Sequence, residues 1–232
     1  MMNFKKYQSH HFYGYPNRAG FTMLELVFVI VVLGILAALA MPRLDRDLMQ
    51  EASDSILSDI RYTQHIALRD NKHEFDDPNW QKAFWRIGFE SCASSSGFYE
   101  YVGTDTNYGG VIDDEEAATD PANGKKMIWS GADCSDGGDD DTSDRIFISH
   151  KYGITSIDFN GSGTNNCAND QYIGFDHLGR PHQGFAGSTQ PNYASYLDGD
   201  CTITFTMSDG DTFAITIQSE TGHAFIVGQE DS

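Results

Sequence analysis

Hydrophobic and polar positions divide the chain into three regimes. Residues 1–20 are polar and basic, with Lys5, Lys6 and Arg18 and no acid. Phe21 opens an apolar run, FTMLELVFVIVVLGILAALAMP, whose one charge is Glu25. As a helix rising about 1.5 Å per residue, the 22 residues from Phe21 to Pro42 span roughly 33 Å, enough for a hydrocarbon core. Past Pro42 the apolar residues Leu44, Leu48, Ala52, Ile56 and Ile60 recur at every fourth position, joined by Met49, Leu57, Ala67 and Leu68. That spacing predicts an amphipathic helix ending near Asp70 or Asn71. It continues the apolar helix with a kink at Pro42, because proline removes a backbone hydrogen bond and crowds the preceding turn. An independent surface helix after a flexible joint at Pro42 is the other reading.

The third regime is strand-like, with turns rich in Gly, Asn, Asp and Ser. Residues 84–89, 98–102, 126–129, 145–149 and 154–159 are short strand candidates. Residues 201–207 (CTITFTM) and 212–218 (TFAITIQ) alternate in polarity and are joined by Ser208-Asp209-Gly210-Asp211, a hairpin signal. Glu220-Thr221-Gly222 turns the chain into a further strand at 223–227, completing a meander. The fold expected is α+β, a long N-terminal helix packed on a C-terminal antiparallel β-sheet domain. Its segments are a leader at 1–20, a membrane-spanning half-helix at 21–42, its amphipathic continuation at 43–72 and a β-rich domain at 73–232.

Glu25 carries the chemistry of the apolar run. A carboxylate deep in a bilayer costs about 2.5–3.5 kcal/mol on insertion scales, so it requires a partner. A cut between Gly20 and Phe21 creates one: the new α-amino group lies one helical turn from Glu25, and a neighbouring copy supplies the same charge. Two plainer readings compete. One is a removable secretory signal, with Lys5 and Lys6 as its charged region and Ala38-Leu39-Ala40 as the cleavage site. The other is a one-span anchor with no assembly role. A Glu inside the apolar core and a leader reaching Gly20 count against the ordinary signal. The basic leader faces the cytoplasm by the positive-inside rule, since the far flank mixes Arg43 and Arg46 with Asp45 and Asp47.

Without the leader's three bases the chain holds 12 basic against 34 acidic residues, a formal charge of −22. After Arg180 there is no Lys or Arg, so the C-terminal region offers no footprint for phosphates, and nucleic acid is not an expected partner. Cys92, Cys134, Cys167 and Cys201 form no C-x-x-C pair, which disfavours a zinc or redox site and favours disulfides outside the cytoplasm. Three connectivities are open. Cys92 with Cys134 and Cys167 with Cys201 is preferred, because each bridge closes an irregular insertion between strand-like segments.

Gly20 before the cut, Phe21 after it, Glu25 as fifth residue of the mature chain and Pro42 at the end of the apolar run together resemble the class III leader of type IV pilins and of type II secretion pseudopilins. The resemblance implies cleavage after Gly20 by a prepilin peptidase, N-methylation of Phe21, and pairing of Glu25 with a neighbour's amino terminus in a filament. It also implies an inner-membrane protein with its outer domain in the periplasm. Its partners are other pilin-like subunits and an inner-membrane assembly platform. Tyr172-Ile-Gly-Phe-Asp-His-Leu-Gly-Arg180, the meander and Thr221-Gly222-His223 are similar to the C-terminal half of H-type minor pseudopilins and their fimbrial relatives. The middle, from about 75 to 171, departs from that pattern. Other roles for the same leader are a minor pilin for DNA uptake or adhesion, and an anchored binding protein that never polymerises.

Other chemistry is weaker. Asp133, Asp136, Asp139, Asp140, Asp141 and Asp144 offer the oxygen ligands calcium prefers, without EF-hand spacing. A solvated acidic loop is the alternative. His150, His177, His182 and His223 follow no metal-ligand spacing, His10 and His11 belong to the leader, and no nucleophile motif is present. His177 reads as a turn residue beside Gly179. The expectation is therefore no enzyme, no cofactor and no metal. Trp80, Phe84, Trp85, Phe89, Phe98, Tyr99 and Tyr101 are either a recognition patch or, as a helix-on-sheet domain requires, core.

Overall fold

The computed structural model describes residues 22–135, 137–159, 167 and 170–230, and no side chain between 38 and 47. Gly20 and Phe21, Asp136, and the side chain of Pro42 lie outside the described residues. The chain forms two compact units, residues 1–43 and 44–232. Helix α1 runs Met23–Arg69, close to the end predicted from periodicity.

In the second unit, α1 buries Ala52, Ile56, Leu57, Ile60 and Ala67, the stripe its spacing specified. Leu48 and Leu68, expected on that stripe, are instead exposed. Asp59 and Thr63 are buried in its place, and hydrogen bonds satisfy them. Two antiparallel four-stranded sheets complete the unit. One has the order β2-β1-β4-β5, built from β1 (Trp85–Ser91), β2 (Phe98–Gly103), β4 (Tyr172–Phe175) and β5 (Pro181–His182). The other has the order β3-β6-β7-β8, from β3 (Ile154–Asp158), β6 (Cys201–Met207), β7 (Thr212–Ile217) and β8 (Ala224–Ile226). The predicted meander is β6-β7-β8, with Cys201 opposite Ile217 and Ile215 opposite Ile226. Phe89 of the first sheet meets Phe205 of the second edge-on, with ring centroids 5.4 Å apart, and these residues share one core with the α1 stripe.

Two expected strands are absent from the described structure. Residues 126–129 form isolated rungs: Lys126 bridges Thr119 and Thr142, and the Met127 amide donates to Ala118. Residues 145–149 divide between a 3-10 turn, Asp144–Ile146, and helix α2, Ile148–Tyr152. Ile148 and Tyr152 are buried at i and i+4, a helical period that so short an apolar run cannot separate from alternation. Gly153, left-handed at φ +78°, ends α2. The aromatic residues are core: Trp80, Phe84, Phe89, Tyr99 and Tyr101 are buried, and Trp85 and Phe98 half-buried.

The two motif turns meet on α1. The Gln64 side-chain amide donates to the carbonyls of Gly179 (2.9 Å) and Thr221 (2.8 Å). Both turn glycines adopt positive φ, and a Cβ on Gly222 would sit 2.1 Å from the Gly179 carbonyl oxygen. Only glycine allows that approach.

Candidate assembly site

The start of α1 has a cap that sequence reading missed. The Thr22 hydroxyl accepts the Glu25 amide at 3.2 Å, and its carbonyl accepts the Leu26 amide at 3.1 Å. Thr22-Met23-Leu24-Glu25 has the S/T-x-x-E spacing of a capping box, the signal that was available. Glu25 therefore stands in the first turn, exposed, where the positive end of the helix dipole favours a carboxylate. Every large apolar side chain from Met23 to Leu36 is exposed, from Met23 at 87% to Val32 at 37%. A helix apolar on all sides needs lipid or other helices around it. Among the described residues no helix is long and apolar enough to cross a membrane; the run expected to do so starts at Phe21 and ends among side chains outside the description.

Within the second unit, a buried charge cluster fixes the later part of α1, at Ser55 and Asp59, to the rest of the unit. Arg145 donates from Nη1 to Asp120 Oδ1 (2.7 Å) and from Nη2 to both oxygens of Asp59 (3.1 and 3.0 Å) and to Ser55 Oγ (3.2 Å). Asp59, Asp120 and Glu100 are all at most 1% exposed. Glu100 has no partner while ionised. Burial, then the Asp59 charge, pushes its pKa well up, so the neutral carboxyl donates to Asp59. Burial also raises Asp59, against the hydrogen bond from Glu100 and the Arg145 charge. Alternation in β2 puts Glu100 in line with the buried Val102, so an acid on the inward face was the signal for this cluster.

Asp176 organises the phenylalanine-aspartate turn. Its Oδ1 accepts the amides of Leu178 and Arg180, and its Oδ2 accepts Arg180 Nε at 2.8 Å. Burial raises its pKa, but the hydrogen bonds from His182 and Arg180 outweigh burial and hold it well below the usual range. His182 also contacts Ser195 Oγ at 2.9 Å, so serine, histidine and aspartate do meet. Ser195 is 3% exposed and Asp176 is saturated by the turn, which makes the trio a structural brace between β5 and the chain at Ser195. His177 is half-buried in the turn beside Gly179, whose φ is +80°, while His150 and His223 are exposed elsewhere. No three His, Cys, Asp or Glu residues among those described could hold a metal ion. In the acidic loop Asp133, Asp139, Asp140, Asp141 and Asp144 are exposed, and Asp141 pairs with Lys126 at 3.2 Å. Disulfides join Cys92 to Cys134 and Cys167 to Cys201, the preferred connectivity.

Residues 15–41 match the family model described as the prokaryotic N-terminal methylation motif. No curated protein and no solved structure matches the chain. The match spans 27 of the 232 residues and falls on the end of the leader and the apolar run, the stretch that resembles a class III prepilin leader.

Proposed function

We propose that the chain is a minor subunit of a pilin-like filament, with the type II secretion pseudopilus the best-fitting assembly. The methylation motif over residues 15–41 carries the reading. The leader, 1–20, is cytoplasmic; the peptidase cuts between Gly20 and Phe21, Phe21 is methylated, and residues 21–42 hold the subunit in the inner membrane until it enters the filament. The domain at 73–232 is periplasmic. Glu25 in the first turn of α1 attracts the Phe21 amine of an adjoining copy. At about 4 Å such a pair gains roughly 4 kcal/mol at an effective dielectric of about 20, against about 1 kcal/mol in water, so an apolar surrounding makes it a register lock. The exposed apolar surface of α1 supplies the remaining contacts. A charge of −22 disfavours close stacking of many identical domains, which supports a minor place over an abundant shaft role. The H-type likeness of the Asp176 turn and the Thr221-Gly222 turn is consistent with that place.

Amino-terminal sequencing and assembly of a Glu25→Ala variant test the proposal. The mature protein should begin at methylated Phe21, and the variant should be processed yet absent from sheared filaments. A mature start at Met41, or filaments that incorporate the variant at the wild-type level, refutes it.

A further inference from the structure

The outer face of the first sheet holds a buried cation with no counter-ion. Arg86 is 2% exposed, and its Nη2 donates to the Gly110 carbonyl at 3.1 Å. Its Nε and Nη1 have no hydrogen-bond partner, and no carboxylate of a described residue pairs with it. Asp105, also buried, lies across the same peptide unit, accepting the Gly110 amide at 2.7 Å. Arginine cannot relieve its burial by losing a proton, so donors left empty in this way cost about 1–3 kcal/mol or more.

The surroundings are built around this side chain. In register, Arg86 stands between Gly103 and Gly174 on the neighbouring strands, and the side chains those strands set against it are the rings of Tyr101 and Tyr172. The Tyr172 ring lies 5.5 Å from the guanidinium carbon. The Tyr101 phenol is beside it, its pKa pushed up to about 12 by burial against the pull of the Arg86 charge. Above them opens a cleft of about 330 Å³ with Arg86 in its floor and Glu90, Asp170 and Gly110 in its walls. A cation below, carboxylates at the rim and aromatic rings between suit a ligand that is anionic at one end and rich in donors at the other.

We propose that this cleft binds a small carboxylate bearing hydroxyl or ammonium groups on neighbouring carbons, its carboxylate on Arg86 and its donors toward Asp170 and Glu90. An acidic sugar and a free amino acid share that chemistry. The site is separate from polymerisation, since all of its residues lie in the unit from 44 to 232.

The test follows the Arg86 Nε–H by NMR in the full processed chain in detergent, adding glucuronate, alanine, glucose and acetate in turn. Glucuronate or alanine, whichever is the better source, should shift that resonance and slow its solvent exchange with a Kd of about 1 mM or tighter. Glucose, which lacks the carboxylate, should not. Acetate, which lacks the donors, should bind at least tenfold more weakly. Asp170→Asn leaves Arg86 in place and keeps an oxygen for the Gly184 amide, so it should fold while weakening the preferred probe severalfold. No shift with any probe means that internal water alone serves Arg86, and overturns the proposal. Acetate equal to the preferred probe, or an Asp170→Asn variant that binds it as the wild type does, overturns the assignment of the rim.

Discussion

Replacing Arg145 with methionine should be the most damaging single change to the second unit. The side chain is 19% exposed and is the hydrogen-bonded counter-ion of two carboxylates, Asp59 at 2% and Asp120 at 0% side-chain exposure. Methionine fills the stem's volume but leaves both acids buried without a cation, beside a third at Glu100. Breaking a buried pair by removing one partner costs about 3–5 kcal/mol. In a domain of this size about 1 kcal/mol lowers the melting temperature by roughly 2–4 °C, so the expected loss is about 6–20 °C at neutral pH. Circular dichroism melts of the processed chain, disulfides intact, measure it. The pH dependence gives an independent reading. Burial already raises the folded-state pKa of Asp59 and the Arg145 charge opposes that rise, so the variant regains stability as acid protonates Asp59 and the gap to the wild type narrows. A loss under about 1 kcal/mol, or a gap that stays constant into acid, would show that Arg145 is not the keystone of this cluster.

Glu100→Gln keeps a donor toward Asp59 but removes the proton. The wild-type Glu100 contribution is greatest below its unfolded pKa and declines as pH rises toward its higher folded value, so in chemical denaturation the variant should lose that decline and be the more stable protein at neutral pH. Asp176 has the opposite sign: its contribution is present above the unfolded carboxylate pKa and is lost as pH falls through its lower folded one. Asp176→Asn should therefore flatten the acid limb of the stability curve. Gly222→Ala should destabilise by more than about 1 kcal/mol, because φ is +66° and the new methyl meets the Gly179 carbonyl; a neutral effect in the same melts refutes the turn contact. Thr22→Ala should cost about 0.5–2 kcal/mol of α1 stability, seen as faster amide exchange at Glu25 with the second unit unaffected.

The sequence carried the elements with strong periods and lost those set by distant partners. The α1 stripe from Ala52 to Ala67, the β6-β7-β8 meander and the turn at His177 and Gly179 were readable because each depends on neighbours within a few residues. Residues 145–149 were misread because Ile146, Phe147 and Ile148 are all buried, which erases the difference between alternation and a helical turn. The Arg145 cluster draws Asp59 from α1, Glu100 from β2 and Asp120 from a loop, and no local pattern joins positions 86 residues apart. Arg86 was invisible for a related reason, since its setting depends on glycines in two other strands. In the assembly segment the order is reversed: Glu25 stands out by its charge in an apolar run, and the Thr22 cap was there in the spacing but was overlooked.

The disulfides determine how the second unit fails when it is attacked. Each bridge closes a long stretch of chain that includes core strands as well as surface turns: β2 lies between Cys92 and Cys134, 42 residues apart, and β4 and β5 lie between Cys167 and Cys201, 34 apart. A protease that nicks an exposed turn within either stretch leaves the pieces covalently tethered, so the broken molecule still migrates as one species until a reductant is added. In the filament proposed above, damage of that kind would be survivable, since a lost fragment could not be replaced there.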